Sequence, residues 1–297
     1  VEHPTRWFVR RRLDVPLGDD ALLLSDREPF SLNHLEQWQL GTELLGRARR
    51  GQSEDAWPVL RARGSLPIGT PGKLEYQEVG AKARALSEAG DRLRGGAKLP
   101  PRRFAITIGD VLLHGSLGEL WLDAQVRVQY SKVGRRHELR QWLRHLVLCY
   151  LRAREKKSLL PRKSVLIGRN PDPKKEGVTR VTFAPVDGPE RELSALVAMF
   201  LAGQDALVPL FEHASRAYCE LLRKEGTTRE EALEKARSKF SAAGHAFDRN
   251  VDFDTFDDYV STAYAGWDAV LALREPYDFE RAAKTVYAPM LAHRELV

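Results

Sequence analysis

The stretch 111-VLLHGSLGELWLDAQVRVQYSKVG-134 decides the fold. It reads as a run of short strands: Val111–Leu113, Leu117–Leu122 and Gln125–Tyr130. Alternation of apolar and polar residues is the mark of a strand buried on one face, because successive side chains point to opposite sides. Just upstream, 103-RFAITIGD-110 alternates in the same way, with Phe104, Ile106 and Ile108 on one side and a turn at Gly109-Asp110. Just downstream the period changes. In 136-RHELRQWLRHLVLCYLRAREKK-157, Leu139, Leu143, Leu146, Val147 and Tyr150 line one side of a long amphipathic helix. After Pro161 come a strand, 164-SVLIG-168, a polar loop, 169-RNPDPKKEG-177, and another strand, 178-VTRVTFAP-185.

Helices flank this core on both sides. Before it, Pro4 suits the first turn of a helix over 4–13, in which Phe8 shares a face with Arg12 and Trp7 with Arg11. An acidic loop, 18–28, follows. A helix over 29–51 is expected to start on Ser31 as N-cap and to stop at Gly51. Further helices are read over 54–67 and 74–94, and 95-GGAKLPP-101 is a turn-rich break. After the core, helices are read over 189–202, 205–224, 228–243 and 253–296, with Thr227 or Thr228 and Glu231 forming a capping box for the third. The expected fold class is α/β (α+β). Its order is helix, three strands, helix, strand, with helical lobes around a mixed sheet. One domain over 1–297 is expected: an N-terminal helical region over 1–100, a sheet core over 101–186 and C-terminal helices over 187–297.

The chain carries a net charge of +6 with a pI near 9.3, which favours an anionic partner such as nucleic acid over a neutral one. Two cysteines, Cys149 and Cys219, are too few for a disulfide framework, so a reduced cytoplasmic setting is expected. No apolar run reaches the ~20 residues of a membrane span. The best candidate, 192–211, is broken by Gln204 and Asp205. The chain starts at Val1 already in helical pattern and reads as a C-terminal piece of something longer. No Gly-rich phosphate loop with a following lysine occurs, and no cofactor is expected.

Three local patterns argue against chemistry of their own. Asp248–Asp252 resembles the start of a calcium loop, but Phe253 stands where glycine is required and Tyr259 where glutamate is required. His145 and Cys149 share a helix face but lack a second ligand pair for zinc. Ser116 lacks the spacing of a nucleophile elbow. The positive signal is the cluster Arg6, Trp7, Arg10, Arg11 and Arg12. Aromatic faces stack on unpaired bases while guanidinium groups hold phosphates. The alternative is that Trp7 and Phe8 seat the first helix and the arginines are solvated. Lys174 and Lys175 form a second basic candidate, with Arg102-Arg103 and Arg135-Arg136 as weaker ones.

The order of elements resembles that of the PD-(D/E)XK nucleases, which hold divalent cations with carboxylates on the second and third strands. The strings "HPTRWFVRRRL", "EPFSLNHLEQWQLGTELL", "ARGSLPIGTPGKLEYQEV", "GSLGELWL", "LRQWLRHLVL", "KARSKF" and "VYAPMLAH" resemble, in order and spacing, the C-terminal domain of the RecC family. That family is the gamma subunit of exodeoxyribonuclease V. The resemblance implies a subunit of an ATP-dependent helicase–nuclease for double-strand-break repair and recombination. It also implies a nuclease-like αβββαβ fold without a working site, RecB-like and RecD-like partners, and single-stranded DNA tails at a duplex end.

The residues agree with a degenerate site. Gly118 stands where active relatives carry a strand-two aspartate, Gln129 where they carry a strand-three aspartate, and Ser131 where they carry lysine. Glutamine offers a neutral oxygen where Mg²⁺ favours charge. Lys132 is one place off, on the opposite face of a strand. Gln141 resembles a glutamine of the active relatives. The expectation is therefore a non-catalytic DNA-handling and scaffolding domain with no metal. A divergent Mg²⁺-dependent nuclease using Glu119, Asp123 and Lys132 is one alternative, and a pure protein–protein adaptor is the other.

Overall fold

A computed structural model of the chain describes residues 2–17, 31–52, 55–155, 157–172, 177–241 and 253–296. The elements in chain order begin with α1 (Pro4–Trp7), which continues as a π-helical turn over Phe8–Arg12, then α2 (His34–Arg49), α3 (Trp57–Ala62) and α4 (Thr70–Asp91). The strands β1 (Lys98–Leu99), β2 (Arg102–Ile108), β3 (Val111–Leu117), β4 (Leu120–Trp121) and β5 (Gln125–Lys132) follow. Next are α5 (Arg135–Arg154), β6 (Ser164–Arg169) and β7 (Val178–Phe183). The remainder is α6 (Pro189–Asp205), α7 (Ala214–Leu222), α8 (Arg229–Phe240), α9 (Asp258–Ala263), α10 (Trp267–Ala272), α11 (Phe279–Ala292) and β8 (Arg294–Leu296). The class is mixed α and β, as read from the sequence.

The chain divides into two compact units. The sheet unit comprises Leu22–Arg103, Ser116–Pro185 and Glu295–Val297, and the helical unit Val1–Ala21, Phe104–Gly115 and Val186–Arg294. The main sheet has the order β1-β4-β5-β6-β7-β8. It is mixed: β4 is antiparallel to β5, β5 parallel to β6, and β6 antiparallel to β7. The parallel pair needs a crossover, and α5 is that crossover.

One strand organises the sheet unit. In β5, Val126, Val128 and Tyr130 are buried at 0%, 6% and 2% exposure. They join a core with Leu40, Leu44, Val79, Leu86 and Ile167. The helices α2 and α4 come close enough that a Cβ on Gly41 would stand 2.2 Å from the Tyr130 ring, and one on Gly90 2.6 Å from Val128. The alternate residues Arg127, Gln129 and Ser131 are half-buried on the other face. On the far side of the sheet unit, Trp142 is fully buried, 5.5 Å from the Phe183 ring. His145 is buried beside it. Its Nε2 lies 2.8 Å from the Ala184 carbonyl, so that nitrogen carries the proton, and Nδ1 accepts from Ser164 Oγ at 3.0 Å. His145 and Cys149 are thus core residues.

Four expectations are corrected. The α2 N-cap is Asn33, not Ser31. Asn33 Oδ1 accepts from the Leu35 and Glu36 amides at 2.9 Å, and Glu36 accepts from the Asn33 amide at 2.8 Å. This is a capping box in which asparagine does as well as serine. Leu117–Leu122 is not one strand. Leu117 ends β3, and Glu119 takes φ 58 before β4 begins. The hairpin β2–β3 forms its own two-stranded sheet, and β1, read as lying within a turn, supplies the edge of the main sheet instead. Finally, 205–224 and 253–296 are not continuous helices. Pro209 lies in the irregular segment between α6 and α7, and Gly266 (φ 116) and Pro276 separate α9, α10 and α11. The Thr228–Glu231 capping box and the buried Ile106 and Ile108 of β2 are as expected.

The helical unit closes on aromatic rings. Phe211 meets Phe240 at 5.0 Å and Tyr264 at 5.2 Å, and Trp267 meets Phe279 at 4.8 Å, all edge-on. Tyr218, fully buried, donates its hydroxyl to Glu280. Asp254 accepts from the His213 and Ala214 amides at 2.9 and 2.7 Å, holding the start of α7. Among the described residues no helix is long and apolar enough to cross a membrane.

Candidate nucleic-acid interface

A cleft of about 610 Å³ opens within the sheet unit. Its floor is the outward face of β5, from which Arg127, Gln129 and Ser131 project. The 116–119 segment closes one end. One wall is α5, whose His137, Arg140, Gln141 and Arg144 recur at helical spacing and so share a face. The other wall is α2, with Trp38 and Arg49 at its rim. Gly118, Gln129 and Ser131, some of them far apart in sequence, all line this one cleft.

Their local settings differ. Gly118 has no positive φ, and a Cβ built on it meets nothing within 4 Å, so no backbone or packing need calls for glycine there. Gln129 Nε2 donates at 3.4 Å to the Lys132 carbonyl, and Ser131 Oγ accepts from Trp38 Nε1 at 2.8 Å. A directional amide chain crosses the cleft. Gln141 Nε2 donates to Gln125 Oε1 at 3.2 Å, and Gln125 Nε2 donates to the Gly118 carbonyl at 3.1 Å. The carbonyl fixes the sense of the chain, because it can only accept. Gln141 Oε1, buried with its residue at 1% exposure, then finds no donor among the described residues.

The charge in the cleft is basic. Arg49, Arg127, Arg140 and Arg144 face it, against one carboxylate, Glu119. Glu119 is held by Arg49 in an ion pair. Asp123 and Lys132 are exposed and do not line the cleft; Asp123 lies against Gly95 in the turn after β4. A hard divalent cation asks for several anionic oxygens. A lining of one ion-paired carboxylate, one imidazole (His137), three amides and four guanidinium groups does not fit it. Among the described residues no three His, Cys, Asp or Glu side chains converge as a metal-holding group. Beneath the cleft, burial pushes the Tyr130 phenol above its ordinary range, partly opposed by the Arg169 guanidinium 4.5 Å from its ring.

The N-terminal cluster lies in the helical unit and is divided. Val9 and Thr5 are buried and seat the segment. Trp7 keeps 38% exposure, its ring 6.5 Å from the exposed Phe200. Arg10 and Arg11 point outward. Arg6 lies over the Tyr259 ring at 5.2 Å, and Arg12 reaches Asp205 at 3.3 Å, so two of the four arginines have partners within the chain. His3 pairs with Asp257 at 3.0 Å. Partial burial works against ionisation of that carboxyl, but the His3 contact and two backbone amides hold it below its usual range. Arg102 is paired with Glu155. Lys174 and Lys175 and the 248–252 loop lie outside the described residues.

Sequence reading missed the cleft arginines and Trp38. The available signal was Arg127-x-Gln129-x-Ser131 on one strand face and His137, Arg140 and Arg144 on one helix face. Nothing local shows that those faces meet.

Comparison with known proteins places these features. A family model described as the RecC C-terminal domain matches residues 1–223. The chain is 29% identical over 224 residues to the RecBCD enzyme subunit RecC of Mycolicibacterium smegmatis (strain ATCC 700084 / mc(2)155), covering 73% of this chain and 19% of that protein. It is 27% identical over 150 residues to the RecBCD enzyme subunit RecC of Escherichia coli (strain K12), covering 50% of this chain and 13% of that protein. The chain thus spans less than a fifth of the curated relatives it matches. With three quarters of its length under the family model, the chain belongs to the RecC C-terminal domain family.

Proposed function

We propose that this chain is a non-catalytic, DNA-handling and scaffolding domain of a RecC subunit, acting over 1–297 as one functional domain of a bacterial, cytoplasmic ATP-dependent helicase–nuclease. Its sheet unit is a degenerate PD-(D/E)XK-type core. The carrying observation is the cleft itself: Gly118, Gln129 and Ser131 line it together, and the one carboxylate beside them is neutralised by Arg49. Open space above Gly118 supports the idea that a side chain once stood there.

In this reading the domain docks RecB-like and RecD-like subunits and guides single-stranded tails from a duplex end. Trp7, Arg10 and Arg11 offer a stacking face and two outward charges for the strand, with Arg6 and Arg12 behind them and Lys174 and Lys175 as a second contact. Phosphate contacts of this kind weaken as salt rises. The test is incubation of the purified chain with labelled single- and double-stranded DNA and Mg²⁺ or Mn²⁺. Intact DNA is the expected result. Cleavage that disappears in Glu119→Ala would establish the divergent nuclease instead. The adaptor reading gains if Trp7→Ala together with charge reversal at Arg10 and Arg11 leaves DNA binding by the assembled complex unchanged.

A further inference from the structure

We propose that the cleft over β5, having lost its metal ligands, holds the phosphodiester backbone of single-stranded DNA. The inference rests on the DNA-handling reading and assigns it a second place, distinct from the N-terminal cluster.

Four guanidinium groups meet across α2, β5 and α5 in a recess large enough for a nucleotide's phosphate and sugar. Arg49 is occupied by Glu119. Arg127 and Arg144 make no ion pair with any described residue, and they approach the recess from its floor and its wall. A concave, half-enclosed site strengthens such charges relative to a flat surface, because less water screens them. Guanidinium forks also match a phosphate's oxygens in pairs.

A further feature suits nucleic acid over another polyanion. Trp38 stands at the rim with 42% exposure, its indole ring fixed by the bond to Ser131, and offers a flat face to an unpaired base.

The experiment measures binding of fluorescein-labelled oligothymidine to the full chain by anisotropy at several salt concentrations. Arg127→Ala with Arg144→Ala is expected to weaken binding at least tenfold at low salt. Two lost phosphate contacts should also flatten the log–log salt slope by about 1.4. Arg127→Lys with Arg144→Lys, which keeps the charges, should stay within a few-fold of the parent, and this variant separates lost contacts from lost folding. An oligonucleotide carrying 5-iodouracil should crosslink to the peptide containing Trp38. Parental affinity in the alanine variant, or crosslinks confined to the peptide containing Trp7, would overturn the cleft assignment and leave DNA handling standing. Polyglutamate of matched charge displacing the oligonucleotide equally well would also overturn it, in favour of an acidic peptide. A parent chain that binds no single-stranded DNA at low salt would remove the DNA-handling reading and this site with it.

Discussion

Gly41 and Gly46 sit on the same helix, α2, five residues apart, and offer a controlled test of the packing beneath the cleft. Helix propensity alone predicts that replacing either with alanine stabilises the chain by about 1 kcal/mol. Surroundings reverse the sign at one of them. A Cβ at Gly41 would stand 2.2 to 2.3 Å from three ring atoms of Tyr130. That ring is 2% exposed within the core cluster, and its guanidinium neighbour Arg169 is tied by a 2.8 Å bond to the Tyr130 carbonyl. The ring cannot recede without moving core neighbours, so overpacking of about 1–3 kcal/mol is expected and outweighs the propensity gain. At Gly46 the nearest atom to an added Cβ is the mobile end of Arg50 at 3.5 Å, so propensity decides. Gly41→Ala should therefore lose up to about 2 kcal/mol of stability, the net of these two effects. Gly46→Ala should gain a few tenths to 1 kcal/mol. Urea titration followed by hydrogen exchange of α2 and β5 peptides reads both in the unit that contains them. Shrinking the ring with Tyr130→Leu should reduce the Gly41→Ala penalty, a coupling that a double-mutant cycle measures. If Gly41→Ala is as stable as Gly46→Ala, the close approach of α2 to β5 is wrong.

Other outcomes follow from features already described. Asn33→Ala removes the side-chain acceptor for two amides of α2 and should cost about 1 kcal/mol, with fraying of the first turn visible as faster amide exchange at Leu35 and Glu36. Glu280→Ala leaves the buried Tyr218 hydroxyl without its acceptor and should cost about 1–3 kcal/mol at neutral pH. Partial burial raises the Glu280 carboxyl, but hydrogen bonds from Arg229 and Tyr218 outweigh it and hold it below its usual range. A lowered carboxyl stabilises the fold above its ordinary value and loses that contribution as pH falls through the lowered one. The gap between parent and variant should accordingly narrow on acidification, and a gap that widens would contradict the network. Burial pushes the Cys219 thiol up to about 12, and Cys149 is buried as well. Neither should react with a disulfide reagent until the chain unfolds. Gly118→Asp, facing open space without backbone strain, should change stability by less than about 0.5 kcal/mol in thermal denaturation.

The sequence was most readable where a single face decides an element. The alternation through β5, the amphipathic α5 and the Thr228–Glu231 box all rest on neighbours within one turn or one strand. It was least readable where the partner is remote. Lys98-Leu99 is a strand because it pairs with Leu120-Trp121, over twenty residues away, and two residues carry no period of their own. The hairpin β2–β3 alternates like any strand pair, and nothing in that pattern says which sheet receives it. Gly118, Gln129 and Ser131 stand out only against the motif of active nucleases, the resemblance on which the proposed loss of a site rests. The four arginines had no motif to betray them, because they come from three elements spread over almost a hundred residues.

The alternation in β5 also limits how this domain can change over time. Val126, Val128 and Tyr130 support the interior, and Arg127, Gln129 and Ser131 face the opening, so one backbone serves two independent vocabularies. Point exchanges on the open side leave the interior untouched, which gives a lineage freedom to trade one chemistry for another there. A one-residue deletion has no such freedom, since it would turn a guanidinium inward and a valine outward at a stroke. Descendants of this chain should therefore keep the strand's length and its apolar alternate positions, whatever chemistry the open face carries.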